Sequence, residues 1–203
     1  KAIGSAKNWV IKADYNVGHV DAWRAFCIMV GDNASIQVRM HDDVGVEFHA
    51  MGTNLGDGAK IFSYSGDTKN VGLDIIAKFD AATAENPVEV TAVRNGDRYM
   101  LLFDGELVFD ETYDFKTTGD KFGVGTTACG GWLNKKELSD PEYMWGEERV
   151  AAFSQSKLVV EIENAENGKV VKYSGSEYTL PVLPKKVVDL FGKEYDNQIT
   201  VSV

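Results

Sequence analysis

Two dipeptides, Asn95-Gly96 and Asp104-Gly105, punctuate the run from Val88 to Tyr113, and no other text in this chain constrains its fold as strongly. Both accept positive φ, so each can close a tight hairpin. Between them Tyr99, Leu101 and Phe103 alternate with Met100 and Leu102. The flanking runs Val88-Val90-Ala92 and Leu107-Phe109 continue the same period of two. Alternation bounded by turn residues predicts a meander of three short antiparallel strands.

More strands are expected on either side. Trp9 to Tyr15 reads as a first strand. Trp23 to Val30 is a nearly continuous apolar run ended by Gly31-Asp32-Asn33, which suits a strand buried on both faces. Ser35 to His41 puts Ile36, Val38 and Met40 on one face and Gln37, Arg39 and His41 on the other. Val46 to Ala50 alternates likewise, and Ile61 to Tyr64 is a short strand. Val71 to Phe79 has a pattern that allows a helix, but a strand or an irregular crossover is the expectation here.

The meander's wording is itself specific: an apolar strand, then Val93-Arg94-Asn95-Gly96-Asp97-Arg98-Tyr99, then Leu101-Leu102-Phe103-Asp104-Gly105-Glu106-Leu107-Val108. It resembles the middle hairpins of concanavalin A-like, laminin-G-like jelly-roll sandwiches. The late Phe122-Gly123-Val124-Gly125-Thr126 text, and Ala152-Phe153-Ser154 leading into Leu158-Val159-Val160, resemble that superfamily too. The resemblance implies a closing strand around Phe153 lying beside the Trp9 strand. It also implies recognition of sugars or proteins outside the cell.

After Glu163 the text changes. Tyr178-Thr179-Leu180-Pro181, the Asp189-Leu190-Phe191-Gly192 turn and the terminal Ile199 to Val203 run resemble the opening strands of bacterial immunoglobulin-like surface domains. Such a sandwich has about seven strands in roughly 100 residues, and this tail is less than half of that. The expected architecture is all-β: a two-sheet antiparallel jelly-roll sandwich (concanavalin A-like) over residues 1–160, then a short, incomplete immunoglobulin-like segment over 161–203.

Composition narrows the partners. Lys and Arg number 21 against 31 Asp and Glu, a net charge of -10. Nucleic acid is bound through clustered cations, so it is not an expected partner. No run is long and apolar enough to enter a membrane. The chain opens at Lys1 without a Met or a signal peptide, which reads as an excised piece or a mature form. Cys27 and Cys129 are too few for a disulfide framework; one bridge or two buried thiols both fit.

Chemistry is sparse. A laminarinase-type hydrolase of this fold needs two carboxylates ~5 Å apart on one strand face. The nearest text, Glu137-Leu138-Ser139-Asp140-Pro141-Glu142, puts Asp140 one residue out of phase with Glu137, and Pro141 argues against an interior strand. Glu161-Ile162-Glu163 has a pair but no third partner. No catalytic residue is expected. His41 and His49 share a predicted polar face with Arg39 and Glu47. The connection from Gly130 to Arg149 carries Trp132, Tyr143 and Trp145, and loops of that length are usually functional or disordered. Aromatics offer flat apolar area with a polar handle, suited to pyranose rings and protein hot spots. A rim calcium is common in laminin-G-like relatives, with Asp32-Asn33 and Asp42-Asp43 as loop candidates; no other cofactor is expected.

The reading is a non-catalytic recognition module of a secreted or cell-surface multidomain bacterial protein. Carbohydrate is the first expected partner, bound on the concave sheet face and the Gly130–Arg149 loop. Extracellular protein, or a structural and adhesive spacer role, is the alternative, with a glycoside hydrolase third.

Overall fold

The computed structural model describes residues 2–16, 23–41, 45–52, 61–63, 69–117, 119–125, 138–162 and 184–195. The chain divides into two compact units, Lys1–Val150 and Ala151–Val203.

The first unit is a β-sandwich. One sheet contains β1 (Ala2–Ser5), β3 (Trp23–Gly31), β4 (Ala34–His41), β5 (Gly45–Gly52), β6 (Ile61–Ser63) and β10 (Lys121–Gly125). The other contains β2 (Asn8–Tyr15), β7 (Val88–Asn95), β8 (Arg98–Phe103), β9 (Glu106–Thr112) and β11 (Leu138–Trp145). Strand order is β1-β10-β3-β4-β5-β6 in the six-stranded sheet and β11-β2-β7-β8-β9 in the five-stranded one. Every pairing is antiparallel.

The meander forms where its alternation places it. Val90, Ala92, Tyr99, Leu101 and Phe103 face the core. At the β8–β9 hairpin Asp104 and Gly105 both have positive φ, 49° and 80°, as a type I′ turn requires. The β7–β8 hairpin differs by one residue. Asn95 pairs with Arg98, so the turn residues are Gly96 and Asp97. Gly96 alone has positive φ, 64°, the pattern of a type II′ turn.

Residues 69–80 are neither a strand nor an irregular crossover. They form α1 (Lys69–Asp80). Ile75, Ile76 and Phe79 fall on one helical face and are buried in the core. Phe79 meets Tyr15 and Phe103 edge-on, at 4.7 and 4.9 Å between ring centres. Those rings come from β2 and β8, and Phe26 of β3 lies 6.2 Å away. The helix thus fills the space between the sheets with an aromatic plug, which a strand's thin profile could not do.

Arg94 also faces inward, two residues beyond Ala92, with 3% of its surface exposed. Its Nη1 donates to the Val30 carbonyl of β3 at 2.9 Å and its Nε to the Gly96 carbonyl at 2.7 Å. Its Nη2 lies 3.0 Å from Asp120, just before β10. One side chain of the five-stranded sheet is therefore tied to two segments of the other sheet. Its guanidinium also lies over the Tyr99 ring, 5.3 Å from its centre.

Burial pushes the Tyr99 phenol up to about 12, against the opposing pull of Arg94 and helped by Asp97, Asp120 and Asp114. The unfolded chain would ionise this tyrosine near 10. Between those values the unfolded state holds fewer protons, so stability falls as pH rises. The contribution is full below pH 10 and lost through pH 12, about 2–3 kcal/mol in all. Denaturation series across that range should show the loss, and Tyr99→Phe should flatten it; an equal slope in the variant would assign the loss to other groups.

The closing strand is β11, not a segment around Phe153. It pairs with β2, with Trp145 opposite Trp9. Pro141 sits within it at a register irregularity between Ser139 and Glu142. A proline, which has no N–H to donate, is tolerated there because β11 is the edge strand of the described sheet and its pairing with β2 is interrupted at this point. Phe153 lies in α2 (Glu147–Gln155). Gly146, at φ 102°, turns the chain out of β11, and Glu147 and Glu148 occupy the helix's first turn, where its dipole favours acids.

The described part of the second unit holds β12 (Val159–Ile162), β13 (Pro184–Val188) and β14 (Glu194–Tyr195) in an antiparallel sheet of that order. The β13–β14 turn is built on Asp189. Its Oδ1 accepts from the backbone of Phe191 and Lys193 at 2.9 and 3.0 Å, and its Oδ2 from the Tyr195 hydroxyl at 3.1 Å. Three short strands do not distinguish an immunoglobulin-like unit from other β folds. Tyr178–Leu180 and Ile199–Val203 lie outside the described residues.

Candidate functional site

The alternation of β4 and β5 sends Ile36, Val38, Met40, Val46, Phe48 and Ala50 into the core. Their intervening residues form the outer face of the six-stranded sheet. There Arg39 stands directly opposite Glu47, and Gln37 opposite His49. Directly opposed antiparallel residues have Cβ atoms roughly 4.5–5.5 Å apart, so these four make one compact polar patch.

Two clamps organise it. Arg39 donates through Nε and Nη2 to the Gln37 Oε1, at 3.1 and 2.8 Å. A guanidinium has donors only, so it fixes which end of the amide faces it. His49 Nε2 lies 2.9 Å from Glu47 Oε2. A carboxylate can only accept, so the bonded ring nitrogen carries the hydrogen. Gln37 and His49 are 5% and 6% exposed, whereas Arg39 and Glu47 are half-buried. Each inner residue holds an outer one in place.

His41 is in register with Gly45 at the end of the same strand pair, and its side chain lies outside the described set. Trp132 also lies outside the described residues. Tyr143 and Trp145 are not loop residues. They sit two apart on β11, on the side that faces the core, and both pack on Phe122, with ring centres 6.4 and 5.9 Å away. Trp9 stacks on Phe122 at 5.7 Å. Trp145 is nonetheless 46% exposed, because β11 is the outermost strand. Burial raises the Tyr143 phenol above its ordinary value. This aromatic ledge belongs to the five-stranded sheet's edge, and the polar patch to β4 and β5. Tyr143 and Trp145 thus lie on a different sheet from Arg39, Glu47 and His49.

Gln37 had no place among the expected site residues. A neutral amide carries little signal in a sequence; its register opposite His49 is what reveals it.

The other candidates are dispersed. Glu142 is exposed on β11, opposite Lys12; Glu137 and Glu163 lie outside the described residues. Asp32 forms an ion pair with Lys121 at 2.9 Å, and Asp42 and Asp43 are outside the described set. Among the described residues, no three His, Cys, Asp or Glu side chains converge to hold a metal. Cys27 is half-buried on β3, and Cys129 is outside the described residues. Among the described residues, no helix is long and apolar enough to cross a membrane.

No protein-family model matches the chain, and no curated protein does. Among solved structures it is similar to the carbohydrate-binding module CBM66 from Bacillus subtilis, at 16% identity and a TM-score of 0.40, over 60% of this chain and 68% of that one. It is similar to sheep galectin-11 in complex with glycerol, at 6% identity and a TM-score of 0.42, over 71% and 95% of the two chains. It is also similar to a Bacillus licheniformis β-glucanase, at 16% identity and a TM-score of 0.33, over 70% and 64%. With two antiparallel sheets of six and five strands packed on a shared core, the first unit is a two-sheet antiparallel β-sandwich.

Proposed function

We propose that the first unit is a non-catalytic recognition module that binds carbohydrate on the outer face of its six-stranded sheet, with Arg39 and Glu47 making the contacts and Gln37 and His49 positioning them. The observation that carries this reading is the doubly clamped patch on β4 and β5. Sugars present neighbouring hydroxyls, each able to donate and to accept. A fixed guanidinium across from a fixed carboxylate offers donors and acceptors side by side. Pre-positioning both groups lowers the ordering cost that weakens most sugar binding. The class of fold, and the tail's resemblance to surface domains, support a secreted or cell-surface setting.

A glycan array with the whole chain is the first test. On a glycan that binds, Arg39→Ala should weaken affinity roughly tenfold or more, the worth of hydrogen bonds to a charged group, with near-UV circular dichroism showing that the variant is still folded. Trp145→Ala in the same assay separates the two surfaces. If only the Trp145 variant loses binding, the ligand sits on the aromatic ledge. If wild type binds no glycan at all, the carbohydrate reading falls and a spacer or protein-binding role takes its place.

A further inference from the structure

We infer that Glu47 is a specificity-determining residue that confines this face to uncharged glycans and turns away those bearing carboxylates or sulfates. The inference rests on the carbohydrate reading and adds the chemical class of the ligand.

Charge at the patch is balanced. Arg39 stands directly across from Glu47, one fixed cation against one fixed anion. Lys121, on β10 of the same sheet, is ion-paired with Asp32 at 2.9 Å. Among the described residues of this face, no further Lys or Arg adds to Arg39 and the paired Lys121. The chain as a whole carries -10, which opposes the approach of a polyanion at low salt.

Hydrogen-bond arithmetic points the same way. A sugar hydroxyl can donate to Glu47 while its neighbour accepts from Arg39. A ligand carboxylate or sulfate can only accept. It could use Arg39, but it would leave Glu47 without a donor and bring two like charges together across a strand pair. Glu47 has little freedom to swing clear, because His49 holds its Oε2 at 2.9 Å from a ring that is itself buried. The buried imidazole is what makes the carboxylate a gate: a free glutamate would move aside.

The test uses glycan pairs with the same skeleton and different charge: cello-oligosaccharides against their C6-oxidised cellouronates, and galacto-oligosaccharides against oligogalacturonates. Wild type should bind a neutral member at least tenfold more tightly than its acidic partner, with little dependence on salt. Glu47→Gln keeps an acceptor oxygen for His49 and removes the charge. It should bind the acidic member at least tenfold better than wild type does, and this gain should shrink as salt is added. Near-UV circular dichroism and the melting temperature verify that the variant is folded; should it not fold, the wild-type preference and salt response still decide. Equal wild-type binding of both members would overturn the inference and leave carbohydrate binding standing, as would a folded Glu47→Gln that gains nothing for the acid. Failure of wild type to bind any member would instead bring down the carbohydrate reading itself.

Discussion

Phe79→Ala is expected to unfold this protein more readily by about 3–5 kcal/mol, the cost of truncating a fully buried aromatic. Phe79 is 0% exposed and touches rings from both sheets. Its removal opens a cavity that rigid strands on either side cannot close. One effect runs the other way: alanine is the better helix former, worth up to about 0.7 kcal/mol in α1. The cavity term is several times larger and wins. Phe79→Leu keeps part of the volume and should cost less. The measurement is a denaturant midpoint at unchanged slope. A loss under about 1 kcal/mol would mean that α1 does not plug the sandwich.

That helix is also where the sequence was misleading. Residues 75, 76 and 79 fit a helical face, yet a short apolar run fits a buried strand equally well. The choice is settled by tertiary space, the gap between β2, β3 and β8, and no local pattern records that gap. β11 failed for a related reason. Pro141 argues against an interior strand, and only the sheet order shows that this strand is an edge. Once β11 is a strand, Tyr143 and Trp145 cease to be loop aromatics and become core-side residues with one open flank.

The meander was legible because its information is local. Alternation sets the faces of β7 to β9, and a glycine at each turn sets the reversal. Even there the pairing moved the first turn by one residue, from Asn95-Gly96 to Gly96-Asp97. The polar face of β4 and β5 could be read in the same way, since Arg39, Glu47 and His49 occupy the outward positions. What alternation cannot supply is register between strands. Register alone sets Arg39 across from Glu47, and side-chain packing alone makes Gln37 and His49 the hidden supports.

Arg94→Met should cost about 3–5 kcal/mol, as removal of one partner from a buried ion pair does. Methionine keeps most of the stem's apolar contact, so the loss reports on the charged head. Without it the carbonyls of Val30 and Gly96 and the carboxylate of Asp120 lose their donor. Asp120 is 29% exposed and can recover some water, which puts the expected value toward the lower end. If the cost lies in the stranded carboxylate, Arg94→Met combined with Asp120→Asn should regain part of it, and the two changes should be non-additive. If it lies in the stranded carbonyls, the second change will regain nothing. Tyr99 supplies an independent readout. Arg94 pulls its phenol down against burial, so the Arg94→Met phenol should ionise at still higher pH than in wild type. A small stability loss together with an unmoved Tyr99 titration would show that Arg94 does not join the sheets.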